Sequence, residues 1–199
     1  MLRLAITGNL GTGKSTVCRI FEGLGVPVYF ADTEAKRLMQ QSDDLKKQIQ
    51  ATFGSDIYVQ GELQRQKLAS IVFQDPQALE SLNQLVHPAV NQDMELWFKK
   101  QAKKGATIAI EEAALTFEAG HQSSFDKIIT VVAPLSLIIK RGMKRDGSSE
   151  KEIRSRLNRQ MPQMEKAIRS DGIILNDEQH SLIFQVHNII QRWELEIEL

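Results

Sequence analysis

Gly8-Asn9-Leu10-Gly11-Thr12-Gly13-Lys14-Ser15 is a complete G-x-x-x-x-G-K-[ST] phosphate-binding loop. The chemistry needs each fixed position. Glycines let main-chain N–H groups turn inward around phosphate oxygens, Lys14 reaches the β- and γ-phosphates, and the Ser15 hydroxyl ligates a metal. The flanks read as strand and helix. Leu2, Leu4, Ala5 and Ile6 form a short apolar run ended by glycine, as a buried parallel strand should, and Val17, Ile20, Phe21 and Leu24 recur at helical spacing up to Gly25. A glycine-rich turn without a ligand leaves the Lys-Ser pair and the helix start unexplained. The stretch predicts a nucleoside triphosphate with Mg²⁺ held by Gly8, Gly11, Thr12, Gly13, Lys14, Ser15 and Thr16, with Ser15 on the metal.

Apolar strand candidates recur at 2–7, 26–30, 107–110, 127–132 and 172–175, with helical patterns between them. That alternation predicts an α/β fold of the P-loop NTPase-like kind, a five-stranded parallel sheet flanked by helices. Asp75-Pro76 supplies an N-cap and a first-turn proline, Ser149 and Glu152 form a capping box, and Leu182, Val186, Ile189, Ile190 and Trp193 make the stripe of a helix closing over a sheet. Two stretches exceed what the sheet needs. Residues 45–104 read as a long helical insertion carrying the substrate site, since sheet crossovers are usually shorter. Residues 140–169 carry ten Lys/Arg against four Asp/Glu, a formal +6 in an otherwise neutral chain, as a lid over polyphosphate requires; a solvated helix surface is the alternative. The expected division is a single domain with a nucleotide core of 1–44, 105–139 and 170–199, the insertion at 45–104 and the lid at 140–169.

With 199 residues, 42% of them hydrophobic, the chain can bury one good core. Lys+Arg and Asp+Glu both number 25, so no global field favours nucleic acid or an anionic membrane. The lone Cys18 excludes an internal disulfide framework and reads as a packed side chain in a reducing compartment. Residues 1–7 are too short for a signal peptide, and no apolar run approaches the ~20 residues that span a bilayer. The expectation is a cytoplasmic monomer or weak homo-oligomer with a small-molecule substrate and no nucleic-acid or membrane partner.

Phosphoryl transfer also needs a group that orients the acceptor oxygen. Acids at the carboxyl ends of strands are the candidates: Asp32 after the second strand, and Glu111 and Glu112 after the third. Asp32 could equally cap a helix beginning near Thr33, and the two roles can coexist.

In this order the residues resemble the dephospho-CoA kinase family over nearly the whole chain. Val26-Pro27-Val28-Tyr29-Phe30-Ala31-Asp32 is similar to the family's V-P-V-[IY]-D-A-D, with Asp32 on its second, catalytic aspartate. Leu63-Gln64-Arg65 resembles L-D-R, and Val72-Phe73-Gln74-Asp75-Pro76 resembles V-F-x-D-P, followed by Leu82-Asn83 and His87-Pro88. Residues 112–120 are similar to D-I-P-L-L-F-E-S-G. Arg141-Gly142-Met143-Lys144-Arg145-Asp146-Gly147 and Arg156-Leu157-Asn158-Arg159-Gln160-Met161-Pro162 match R-x-x-x-R-D-G and R-[IL]-x-x-Q-M-P, and Ile174-Leu175-Asn176-Asp177 resembles I-x-N-x-G near the adenine site.

The resemblance implies ATP-dependent phosphorylation of the ribose 3′-hydroxyl of dephospho-CoA. It implies Asp32, Lys14 and Arg141 as catalytic residues. Arg141, Arg145 and Asn176 join the phosphate loop around ATP, while Asp32, Arg65, His87, Glu112 and Arg156 take the acceptor. A structural role for His87 at a helix junction beside Pro88 stays open. The chain departs from the pattern at Asn9 (the usual second glycine), Phe30 (the first aspartate of D-A-D), Gln64 (the aspartate of L-D-R) and Glu112-Ala113-Ala114 (D-I-P). Asn tolerates positive φ well, so the loop is expected to keep its shape; Phe30 leaves Asp32 as the acid at that spot. Other readings of the same architecture are a nucleoside or small-metabolite kinase and a non-catalytic nucleotide switch, though no N-K-x-D signature is present. His121, His180 and His187 show no ligand spacing, Trp97 and Phe98 read as core with a pantetheine pocket as the alternative, and Glu194, Glu196 and Glu198 read as a solvated helix face.

Overall fold

A computed structural model describes residues 1–195; Glu196 and Glu198 of the acidic tail lie outside the described residues. In chain order the elements are β1 (Leu2–Thr7), α1 (Lys14–Gly23), β2 (Val28–Phe30), α2 (Ala31–Gln41), α3 (Asp43–Phe53), β3 (Tyr58–Val59), β4 (Glu62–Leu63), α4 (Arg65–Gln74) and α5 (Pro76–Lys103). There follow β5 (Ile108–Glu112), β6 (Lys127–Val132), α6 (Leu135–Asp146), α7 (Glu150–Leu157), α8 (Gln163–Ile168), β7 (Gly172–Leu175) and α9 (Leu182–Arg192). Two compact units result: Met1–Tyr29 with Lys100–Leu199, and Phe30–Lys99.

In the first unit the five-stranded parallel sheet has the order β2-β5-β1-β6-β7. The central strand, β1, is buried on both faces, with Leu4, Ala5 and Ile6 fully inaccessible, which is why it reads as an unbroken apolar run. The chain leaves β1 for the β5 side and later crosses to β6 on the other, so the strand order reverses at β1. In open α/β sheets the crevice at such a point receives the ligand, and residues 8–13 follow β1 directly into it. On α9, Val186, Ile189 and Ile190 are buried, and Trp193 lies so close to Gly172 that a Cβ there would come within 3.0 Å of its ring. The capping box of α7 is formed: Ser149 Oγ accepts the Glu152 N–H, and Glu152 Oε2 accepts the Ser149 N–H at 2.7 Å.

The sheet corrects one sequence expectation. β5 runs to Glu112 rather than stopping at 110, because pairing with β1 continues through Ala5↔Glu111 and Ile6↔Glu112. Glu111 and Glu112 are therefore the last two residues of the strand, both buried.

The second unit begins at Phe30, earlier than the expected 45, because α2 packs with α3 and β4. It is also less uniformly helical than expected. β3 and β4 form an antiparallel hairpin, closed by Gln60 (φ +52°) and Gly61 (φ +83°), the primed-turn geometry that matches strand twist. Tyr58 Oη donates to the Met39 carbonyl at 2.6 Å, and Arg37 grips both Asp93 oxygens at 2.8 Å, tying α2 to α5. α5 continues through Pro88, so His87 lies mid-helix and not at a junction. The buried stripe Val86, Val90, Met94 and Phe98 holds the helix together across the donor that proline removes. Phe98 is fully buried and Trp97, half-buried, meets its ring edge-on at 5.2 Å between centroids. Among the described residues no helix is long and apolar enough to cross a membrane.

Candidate active site

The phosphate loop is shaped by glycines that no other residue can replace at two positions. Gly13 holds φ +92°, and a Cβ there would fall onto the Asn176 side-chain nitrogen; Gly11 holds φ +76°, and its Cβ would stand 2.7 Å from the Ile138 carbonyl oxygen. Gly13 is the N-cap of α1, and its carbonyl accepts the Thr16 and Val17 N–H groups. The amides of Lys14 and Ser15, in the first turn, precede any i−4 acceptor and are left for an anion. Thr12, fully buried, donates its hydroxyl to the Asn9 carbonyl at 2.9 Å and keeps the loop closed from behind. Gly8 turns the chain out of β1 at φ +144°. Asn9 is not among the residues with positive φ, so its tolerance of that region is not what preserves the loop. Its side chain acts instead: Nδ2 donates to the Met161 carbonyl at 3.1 Å.

Glu112 projects from the end of β5 against this loop. Lys14 Nζ lies 3.5 Å from Oε1, and Ser15 Oγ donates to Oε2 at 3.4 Å. The carboxylate thus touches the phosphate-side lysine and the metal-side hydroxyl. Among the described residues no three His, Cys, Asp or Glu side chains cluster as a metal cage. A hard cation held by one hydroxyl, a nearby carboxylate and the nucleotide's own phosphates is the arrangement Mg²⁺ favours. The glycine cradle and this donor set fit ATP·Mg²⁺.

Glu111 points to the opposite face of the strand. Burial, reinforced by the Glu112 charge, pushes its carboxyl up from 4.5 to about 7. A raised folded-state value means stability is fully present below about pH 4.5 and is lost as pH rises through 7. Glu111→Gln is therefore expected to stabilise the protein at pH 8 by on the order of 3 kcal/mol, with no difference below pH 4.5. Urea unfolding at the two pH values measures this, and equal stability at pH 8 contradicts it. Cys18, fully buried in α1, has its thiol pushed far up by the same desolvation and is inert packing, as expected.

On the other side of the loop, Asn176 Nδ2 donates to the Thr12 carbonyl at 2.8 Å. Arg141, from α6, donates to the Asn176 carbonyl at 3.3 Å, to Asn176 Oδ1 at 3.2 Å and to Glu178 Oε1 at 3.0 Å. Phosphate loop, β7 exit and Arg141 form one chain of contacts. Glu178 stands where the I-x-N-x-G pattern has its glycine and still adopts φ +67°. Asp177 pins that turn: its Oδ1 accepts the Gln179 and His180 N–H groups, which hold its carboxyl down to about 2.

The structure brings together residues 8–16, Glu112, Arg141 and Asn176. Arg145 and Arg156 converge on Asp146, whose carboxyl they hold low. In the second unit, Asp32 is exposed in the first turn of α2, Arg65 is exposed at the start of α4, and His87 is half-buried. The helix starts at Ala31 with Phe30 as N-cap, so Asp32 is not the cap that one reading of the sequence allowed. Sequence reasoning missed Gln160, Glu118 and Lys166. Gln160 Oε1 accepts the Leu10 N–H of the phosphate loop at 3.0 Å, and Lys166 is fully buried against Glu118 at 2.8 Å. Only the Q-M-P signature hinted at the first, and nothing in local spacing reveals the second.

A protein from Salinibacter ruber named dephospho-CoA kinase is 39% identical over 178 residues, covering 89% of each chain. A crystal structure from Thermus thermophilus superimposes with TM-score 0.82 at 31% identity, covering 98% of this chain and 97% of that one. Dephospho-CoA kinase from Campylobacter jejuni superimposes with TM-score 0.70 at 26% identity over 96% of each. The family profile described as dephospho-CoA kinase matches residues 2–181, and the chain belongs to that family.

Proposed function

We propose that the protein transfers the γ-phosphoryl group of ATP to the ribose 3′-hydroxyl of dephospho-CoA, giving coenzyme A and ADP, the final step of CoA biosynthesis. The observation that carries this reading is the glycine-shaped cradle ending in Lys14 and Ser15, with Glu112 against both side chains, in a chain whose relatives carry that activity in their names.

The loop amides and Lys14 bind the phosphates, and Ser15 with Glu112 would hold Mg²⁺. When bound, the ion neutralises charge that develops on the β- and γ-phosphate oxygens. Contact with Ser15 and Lys14 favours a metal-side role for Glu112 over the acceptor-binding role that the family resemblance implies. Asn176 fixes the adenine-side wall, and Arg141 stands beside it with its planar fork of donors. Asp32, matching the family's catalytic aspartate, orients the attacking hydroxyl and takes its proton, while Arg65, His87 and Arg156 bind dephospho-CoA. Arg145 serves the nucleotide from the lid.

Incubating the protein with ATP and Mg²⁺, and separately with dephospho-CoA, nucleoside monophosphates or no acceptor, tests the reading. CoA formation is expected only with dephospho-CoA. Phosphorylation of a monophosphate, or ATP hydrolysis that no acceptor accelerates, contradicts it.

A further inference from the structure

Behind the phosphate loop lies a charged cluster that phosphate binding itself does not require. Lys166, on α8, is completely buried. Its ammonium donates to the Ala114 carbonyl at 2.6 Å and pairs with Glu118 Oε1 at 2.8 Å. That same Glu118 oxygen accepts the Met161 N–H at 2.8 Å. The Met161 carbonyl in turn accepts from Asn9 Nδ2, and the neighbouring Gln160 side chain accepts from the Leu10 N–H. Two bonds therefore run from the 160–161 turn to the two loop residues that precede Gly11. Lys166 is the most deeply buried member of the chain of contacts.

Desolvating the Lys166 ammonium beside the partly exposed Glu118 can cost as much as their attraction returns, so the pair is weak evidence for a purely stabilising role. What this one provides is placement, because an unsatisfied Met161 N–H or a shifted Gln160 would free the front edge of the loop. Asn9 underlines how tightly that edge is determined. With Nδ2 committed to Met161, its buried Oδ1 has no partner among the described residues, a cost that a fixed orientation sustains.

We propose that Lys166 and Glu118 are positioning residues for phosphoryl transfer: their pair seats the 160–161 turn, and the turn sets the Asn9-Leu10 edge of the phosphate loop. This deepens the proposed kinase reading and rests on the phosphate loop binding ATP, not on the identity of the acceptor. Neither residue touches substrate. The segment 140–169 consequently has a fixed point at Gln160, whatever its remainder does.

The test compares Lys166→Arg, the double variant Lys166→Met with Glu118→Gln, and Gln160→Ala, each in the full chain. The double variant removes both charges, so no lone buried ion remains to unfold the protein, and Gln160→Ala removes the link to Leu10 without touching the pair. Affinity for a fluorescent ADP, measured without any acceptor, is expected to fall about tenfold in the double and Gln160 variants, a change of one hydrogen-bonding contact. Lys166→Arg, which preserves the pair, is expected to keep it. Amide exchange at Leu10 and Met161 is expected to speed up in the double variant, and in kinase assays KM for ATP is expected to rise while KM for the acceptor stays. Folded double and Gln160 variants with wild-type nucleotide affinity and unchanged Leu10 exchange would overturn the proposal. A loss confined to melting temperature, with affinity per folded molecule intact, would overturn it too, since that is what a purely structural pair gives. A failure of the kinase reading shows separately, as nucleotide binding without CoA formation.

Discussion

Replacing Asp32 with Asn is expected to lower kcat by about 10²- to 10⁴-fold while a non-hydrolysable ATP analogue binds as before. The phosphate loop, Glu112, Arg141 and Asn176 all lie in the unit formed by Met1–Tyr29 and Lys100–Leu199, whereas Asp32 opens α2 in the other. The contacts that shape the phosphate loop come from Thr12, Glu112 and Asn176, so nucleotide affinity is not expected to follow the substitution. Asp32 is also neither the N-cap of α2 nor buried, so the variant keeps its fold. Because Phe30 replaces the first aspartate of the D-A-D pattern, no second carboxylate in that triplet can substitute for the lost base. Steady-state kinetics with dephospho-CoA measure the effect, and a kcat within a factor of about three of wild type, far below the loss of a general base, would remove Asp32 from the chemistry.

Arg141→Ala is expected to cost more, about 10³- to 10⁵-fold in kcat, the range for an arginine that stabilises charge on a transferring phosphoryl group. The guanidinium is already oriented by three acceptors on Asn176 and Glu178, so little ordering remains to be done when nucleotide arrives. Arg141→Lys is expected to rescue little. One ammonium cannot reproduce a fork that reaches a carbonyl, an amide oxygen and a carboxylate together. If Arg141→Ala instead raised KM for ATP about tenfold and left kcat intact, the loss of one hydrogen-bonding contact to the ground state, the residue would be a brace for Asn176 and not a participant in transfer.

A feature is legible in the amino-acid sequence when the physical requirement behind it falls on neighbouring residues. The phosphate loop was legible because main-chain geometry and phosphate chemistry prescribe residue types at fixed spacing, and Gly11 and Gly13 do occupy positions that only glycine can hold. The strands were legible for a related reason: burial on both faces of the central ones, such as β1, leaves apolar runs. The end of β5 was not, because two consecutive glutamates look like the start of a loop. They remain in the strand through pairing with Ala5 and Ile6, and Glu112 is tolerated there by Lys14. The β3–β4 hairpin escaped because Gln60-Gly61 lacks the Asn or Asp that marks most primed turns. Pro88 suggested a break that tertiary burial overrode. Glu118 and Lys166, 48 positions apart, and Gln160 and Leu10, 150 apart, meet only after the sheet has formed. No local pattern encodes such partners, so the support behind the loop was invisible while the loop itself was plain.

Catalysis of this kind requires the loop to deliver the terminal phosphoryl of ATP to one particular oxygen, and a single-turnover experiment with γ-labelled ATP follows that group directly. With dephospho-CoA in excess and Mg²⁺ present, the label is expected in CoA as a phosphate that a 3′-nucleotidase removes, with stoichiometric ADP. With the 3′-deoxy analogue as acceptor, none should transfer. Label recovered as inorganic phosphate at the same rate with either acceptor, or carried onto the 3′-deoxy analogue, would contradict it.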